Sequence, residues 1–171
     1  MQKISVLKIK NNQGMKLPFE QEITIVPKDY GFDEFVLDGS VLFKGFVENS
    51  GKQLTVKADF KAKVLLVCSR CGDEFILPLV CDFCEGYSQM PLADEEGEND
   101  IHQFSGDYIN PAPEILQKIF LELPMKVLCK EDCRGVCPDC GTNLNYGSCN
   151  CAAEKIDPRL EKLKDFIIKD E

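Results

Sequence analysis

Ten cysteines fall into five close pairs: Cys68/Cys71, Cys81/Cys84, Cys129/Cys133, Cys137/Cys140 and Cys149/Cys151. Thiolates two or three residues apart can both turn toward one metal ion, and in a cytosol kept reduced by thiol buffers such pairs point to metal rather than to disulfides. In Cys137-Pro138-Asp139-Cys140-Gly141 the glycine after the second cysteine relieves crowding where the backbone amides bend around sulfur, a zinc-knuckle signature. Eight residues later come Cys149 and Cys151, enough chain to loop back and complete a tetrahedron. Asn143, Asn145 and Gly147 are turn formers suited to that return. Cys137, Cys140, Cys149 and Cys151 are therefore the expected ligands of one structural zinc ion. Four sulfurs leave no open position for water, so the site is closed and not catalytic. His102, the single histidine, sits beside an acidic tract and reads as a solvated loop residue.

A second zinc site could combine Cys68 and Cys71 with Cys129 and Cys133. Competing readings remain for each pair. Cys129 and Cys133 could pack as small apolar groups on one face of a helical turn. Cys68-Ser69-Arg70-Cys71 could be redox-active, with Arg70 lowering a thiol pKa, although no thioredoxin-like βαβ context surrounds it. Cys81 and Cys84 read equally as metal ligands or as buried or half-buried thiols at a strand end. If Glu74 to Val80 is extended, a rise of about 3.3 Å per residue puts Cys81 roughly 30 Å from Cys71, so that pairing needs a sharp bend, for instance at Pro78.

The elements that must hold these cysteines are mostly strands. Alternation is clearest from Leu54 to Val64, with Val56, Ala58, Phe60, Ala62 and Val64 on one face and Lys57, Asp59, Lys61 and Lys63 on the other. A strand over Phe35 to Val47 followed by the turn Glu48-Asn49-Ser50-Gly51 makes the two a hairpin. Ile4 to Ile9 and Glu22 to Val26 are weaker strand candidates, and Glu74 to Val80 returns after the Cys68–Cys71 corner. A short helix is expected from Pro111 or Pro113 to Leu121, capped by Asn110, with Ile115, Ile119 and Leu116 or Phe120 as its apolar stripe. Asp157-Pro158 opens a final helix, in which Leu160, Leu163 and Ile167 recur at helical spacing to about Ile168. The expected class is α+β: an antiparallel β-rich N-terminal part, a short helix, a Cys-rich zinc-binding segment and a C-terminal helix.

One domain is expected overall, with a β-rich core over 1–90, an acidic mobile loop over 91–106, and the helix, zinc segment and last helix over 107–171 packing on the core. The loop assignment rests on Asp94, Glu95, Glu96, Glu98 and Asp100, which have neither apolar period nor enough apolar surface to offset ordering entropy. No run of about 18 apolar residues occurs and the first ten residues carry no signal-peptide core, which makes the cytoplasm the expected location and excludes a membrane partner. The formal net charge of -9 argues against strong non-specific binding to a phosphate backbone, although Lys57, Lys61 and Lys63 could form a local contact face or simply a solvated one.

Several motifs in order resemble the YceD-type family of large ribosomal RNA subunit accumulation proteins. They are Cys68-Ser69-Arg70-Cys71 with Glu74-Phe75, Leu121-Glu122-Leu123-Pro124-Met125 leading to Leu128-Cys129, the run from Cys133 to Asn145, and Asp157-Pro158-Arg159-Leu160. The resemblance implies a noncatalytic factor supporting accumulation of 23S ribosomal RNA, hence large-subunit biogenesis. Its partner would be ribosomal RNA or a large-subunit assembly intermediate, reached directly or through a protein, and no small-molecule substrate is implied. The family includes members that lack the C-terminal cysteines, so zinc would stabilise the tail, and Cys81 and Cys84 fall outside the family pattern. The alternative is a zinc-ribbon regulator binding DNA or the transcription machinery. The segment's Glu131, Asp132, Asp139 and Glu154 against Arg134 and Lys155 support such a surface poorly. A thiol oxidoreductase or hydrolase comes third.

Overall fold

The structure is a computed structural model that describes residues 3–90 and 101–151. The acidic residues Asp94 to Asp100 and the predicted helix after Asp157 lie outside the described residues. The chain divides into two compact units, one formed by Met1–Ser69 and Asp73–Cys129, the other by Arg70–Gly72 and Lys130–Glu171.

Among the described residues the first unit is built on eight strands and one α-helix: β1 (Ile4–Ser5), β2 (Lys16–Ile23), β3 (Val36–Leu37), β4 (Val41–Asn49), β5 (Leu54–Val67), β6 (Glu74–Ser88), β7 (Ile101–Gln103), β8 (Tyr108–Ile109) and α1 (Ala112–Glu122). A 3-10 turn spans Pro27–Tyr30. The main sheet runs β2-β4-β5-β6-β7, with β3 also pairing β5, while β1 and β8 form a separate two-stranded piece. Among the described residues the protein is thus β-rich with one α-helix.

The alternation read in β5 is the organising feature. Leu54, Val56, Phe60, Ala62, Val64 and Leu66 are buried, while Lys57, Asp59, Lys61 and Lys63 are exposed on the opposite face. The β4–β5 hairpin forms, but its turn lies later than predicted. β4 continues to Asn49, which pairs with Leu54, and Asn49 Oδ1 accepts from the Gly51 amide at 2.7 Å. The predicted strand from Phe35 breaks at Asp38–Ser40, so that β3 pairs with the far end of β5 at Leu65 and Val64. The segment Ile4 to Ile9 is extended only at Ile4–Ser5. Beyond it the chain turns, with the Ile9 and Lys10 amides both bonded to the Val6 carbonyl, and still buries Val6 and Ile9. The other weak candidate is longer than expected and earlier: β2 pairs with β4 from Lys16↔Glu48 to Ile23↔Val41.

Most consequential for the cysteines, the predicted Glu74–Val80 strand runs on to Ser88, paired with β5 from Glu74↔Val67 to Tyr87↔Leu54. Leu77, Leu79, Cys81 and Phe83 keep the inward period throughout, and among the described residues Pro78 faces no strand on its other side, since β7 pairs only with Gly86–Ser88. Phe43 links Phe19 and Phe83 at ring distances of 5.0 and 5.1 Å beside this core. In α1 the buried stripe is Ile115, Leu116 and Ile119, with Phe120 exposed, and Asn110 Oδ1 accepts the Ala112 amide at 3.3 Å. Residues 101–106, expected to belong to a loop, include β7, which pairs in parallel with β6.

Candidate metal centre

The corner between β5 and β6 is a knuckle. The Cys68 amide donates to the Asp73 carbonyl at 2.9 Å, closing the turn, and Gly72 takes a φ of +76°. Ser69 fastens this corner to a second turn by donating both its amide and its hydroxyl to the Val127 carbonyl, each at 2.9 Å. Arg70 donates from Nη1 to the Cys133 carbonyl at 2.9 Å, and the Cys133 amide donates to Lys130. These bonds bring the Sγ atoms of Cys68, Cys71, Cys129 and Cys133 within 4.8 Å of one another. A tetrahedron with Zn–S of about 2.3 Å has sulfurs about 3.8 Å apart, so the group fits a metal ion with small adjustment. Cys68, Cys71 and Cys133 are buried, and none of the four nests in an apolar helical face.

Cys137, Cys140, Cys149 and Cys151 form the second such group, their sulfurs again within 4.8 Å. It is the more open one: Cys137 is buried, Cys149 and Cys151 are half-buried and Cys140 is exposed. Its knuckle repeats the first. Gly141 donates its amide to the Cys137 carbonyl at 2.9 Å, Cys137 donates to the Thr142 carbonyl at 2.9 Å, and Gly141 has a φ of +73°. A β-carbon on Gly72 or Gly141 would meet nothing within 4 Å, so both glycines are needed for a left-handed backbone, and Gly141 is not needed, as its place after Cys140 suggested, for room.

The thiols of this second group share one negative charge readily. The Thr142 hydroxyl, 3.2 Å from Cys140 Sγ, and the Thr142 amide are the main stabilisers of a Cys140 thiolate, with Cys151 and Cys137 adding hydrogen bonds, and hold its pKa at about 6. Cys151, bonded to that thiolate, is pushed up to about 12. A group in which the first ionisation suppresses the next is one that a divalent cation relieves. Both groups could hold metal ions.

The remaining predicted positions behave differently. Three residues apart on one continuous strand, Cys81 and Cys84 point to opposite faces, Cys81 buried and Cys84 exposed, and neither belongs to a metal-sized group among the described residues. Burial raises the Cys81 thiol above its ordinary range, as does the charge of Glu122. The reading of His102 as a solvated loop residue is wrong: it lies half-buried in β7, its Nε2 3.3 Å from Glu85 Oε2 and its Nδ1 3.3 Å from Glu114 Oε1, with its ring 5.5 Å from that of Tyr87. On the lysine face, Lys57 lies 3.7 Å from Glu48, which also pairs with Lys16. The residues that sequence reading missed are Thr142 and Asn145, whose side chains reach Cys140 and Cys133 sulfurs at 3.2 and 3.3 Å. Their polar types inside a Cys-rich loop were the available signal, read only as turn chemistry for Asn145.

Residues 56–167, which include all ten cysteines, match the family described as large ribosomal RNA subunit accumulation protein YceD. An uncharacterised protein of Mycobacterium bovis and one of Mycobacterium tuberculosis are each 27% identical over 123 residues, covering 71% of this chain and 59% of theirs. The chain thus spans about three fifths of the length of these curated relatives. A chloroplastic protein of Arabidopsis thaliana named large ribosomal RNA subunit accumulation protein YCED homolog 1 is 24% identical over 134 residues, 62% of this chain and 42% of its own. No solved structure matches. With the family match extending from inside β5 past the second cysteine group, the chain belongs to the YceD family of large ribosomal RNA subunit accumulation proteins.

Proposed function

We propose that this protein is a noncatalytic factor supporting 23S ribosomal RNA accumulation and large-subunit biogenesis in the cytoplasm, and that each four-cysteine group holds one structural zinc ion. The observation that carries the metal reading is the pairing of two knuckles with two further thiols each, all four sulfurs within 4.8 Å of one another and with no nitrogen or oxygen donor among the four. Such a shell is filled by sulfur, leaves no site for an activated water and stabilises the turns that supply it. Tetrahedral sulfur sites take zinc or iron. Native mass spectrometry with absorption spectra separates them: two zinc ions and a colourless protein are expected, and an iron chromophore overturns the assignment.

The family supports the biological reading. Among the described residues no helix is long and apolar enough to cross a membrane. Lys61 and Lys63, exposed beside Lys57 on the outer face of β5, are the candidate contact with ribosomal RNA or an assembly intermediate. Depleting the protein in its own cell should lower the ratio of 23S to 16S ribosomal RNA; an unchanged ratio overturns the reading. Replacing Lys57, Lys61 and Lys63 together by glutamate should release the folded protein from pre-ribosomal particles in crosslinking. Undiminished crosslinking would move the contact off this face.

A further inference from the structure

Cys133 belongs to the first cysteine group, yet the backbone that carries it belongs to the same two-stranded ribbon as the second. Cys137 donates its amide to Thr142, Val136 bridges Asn143, and the Leu144 amide donates to the Gly135 carbonyl at 2.8 Å. The next rung is made by a side chain. Asn145 Oδ1 accepts the Arg134 amide at 2.9 Å, and its Nδ2 donates to Cys133 Sγ at 3.3 Å and to Asn143 Oδ1 at 3.0 Å. Because a backbone amide can only donate, the Arg134 bond fixes which end of the Asn145 amide is oxygen, and the N–H groups must face the sulfur.

We infer that Asn145 is a positioning residue for the first metal site, and that through it filling of the second site raises the metal affinity of the first. This rests on the reading that both groups hold zinc. An N–H donated to a zinc-bound thiolate spreads its charge and fixes the direction of its lone pairs, an outer contact whose loss typically costs about 10–100-fold in metal affinity. Asn145 can do this only while the loop between Cys140 and Cys149 is folded back along Arg134 and Gly135, the conformation that a metal on Cys137, Cys140, Cys149 and Cys151 closes. The second site draws its ligands from one short stretch, Cys137 to Cys151, whereas the first gathers ligands from Cys68 to Cys133. Loop-closure entropy therefore favours filling the second site first.

Chelator competition on the full chain, with zinc counted by native mass spectrometry, tests this. The wild type should bind two ions; fewer than two overturns the two-site zinc reading and this inference with it. Asn145→Ala should still bind two at saturation, with the first site weakened about 10–100-fold. Cys149→Ser, which removes no ligand of the first site, should weaken that site by a similar factor. In a Cys68→Ser background, which leaves only the second site intact, Asn145→Ala should change zinc affinity by less than about twofold, which separates positioning from collapse of the ribbon. First-site affinity unchanged in Asn145→Ala or in Cys149→Ser, with two ions still bound by the wild type, would overturn the coupling while leaving the two sites standing. Equal weakening of both sites by Asn145→Ala would reduce Asn145 to a fold-stabilising residue and overturn it as well.

Discussion

At the scale of single residues, the two knuckle glycines and one buried carboxylate make the firmest predictions. Gly72 and Gly141 sit near φ +75° with open space around them, so an alanine there meets only the left-handed backbone cost of about 1–2 kcal/mol. Gly141→Ala should weaken zinc binding at the second group about tenfold in chelator competition, and Gly72→Ala should do the same at the first. Glu114 is the second case. Burial holds its carboxyl above the ordinary 4.5, opposed by a backbone hydrogen bond and the charge of His102, with Tyr87 and Glu85 as its other polar neighbours. The folded protein then binds this proton more tightly than the unfolded chain. Its contribution to stability is complete below pH 4.5 and is lost as pH rises from there through the higher folded value. Glu114→Gln cannot ionise, so its melting temperature should gain on the wild type as pH is raised above 4.5. A constant difference across thermal melts at several pH values would contradict this. None of this was legible around His102, because a parallel pairing of three residues leaves too short a pattern to read.

Among the elements, β5 was readable from its alternation alone, and β6 only in its first half. Cys81, Asp82, Phe83 and Cys84 continue the inward and outward period, but the two cysteines read as thiols at a strand end. What extends β6 is its partner: once β5 is fixed, every residue from Glu74 to Tyr87 has an opposite number across the ladder. The β4–β5 pairing is close enough that a β-carbon on Gly45 would stand 2.5 Å from both Cα and Cβ of Ala58 and would strike the Lys57 carbonyl. Gly45→Ala should therefore destabilise the first unit by about 1–3 kcal/mol in denaturant unfolding, the usual range for overpacking. A neutral result would mean that the two strands can separate locally at no cost. Nothing in the local sequence marks Gly45, since its requirement comes from a residue thirteen positions away.

On the scale of the whole molecule, the first unit has a continuous apolar core, and the described residues of the second form largely turns around cysteines. Removing metal should therefore act unevenly. With excess chelator, hydrogen-exchange protection should vanish between Lys130 and Cys151 while amides in the middle of β5 and β6 remain protected; simultaneous loss at both would make zinc a requirement for the sheet itself. The sequence by itself determined the β-rich character, the helix, the family and the close spacing of the cysteine pairs, because alternation, capping residues and C-x-x-C spacing are local and survive without knowledge of the fold. Cys137, Cys140, Cys149 and Cys151 were legible as one group for that reason, since only a short loop had to close. Only the tertiary structure decided that Cys129 and Cys133 meet Cys68 and Cys71, that Cys81 and Cys84 face apart, and that Asn145 reaches from one cysteine group to the sulfur of the other. Each of those depends on strand register or on a hydrogen bond between distant residues, and neither leaves a periodic trace in the chain.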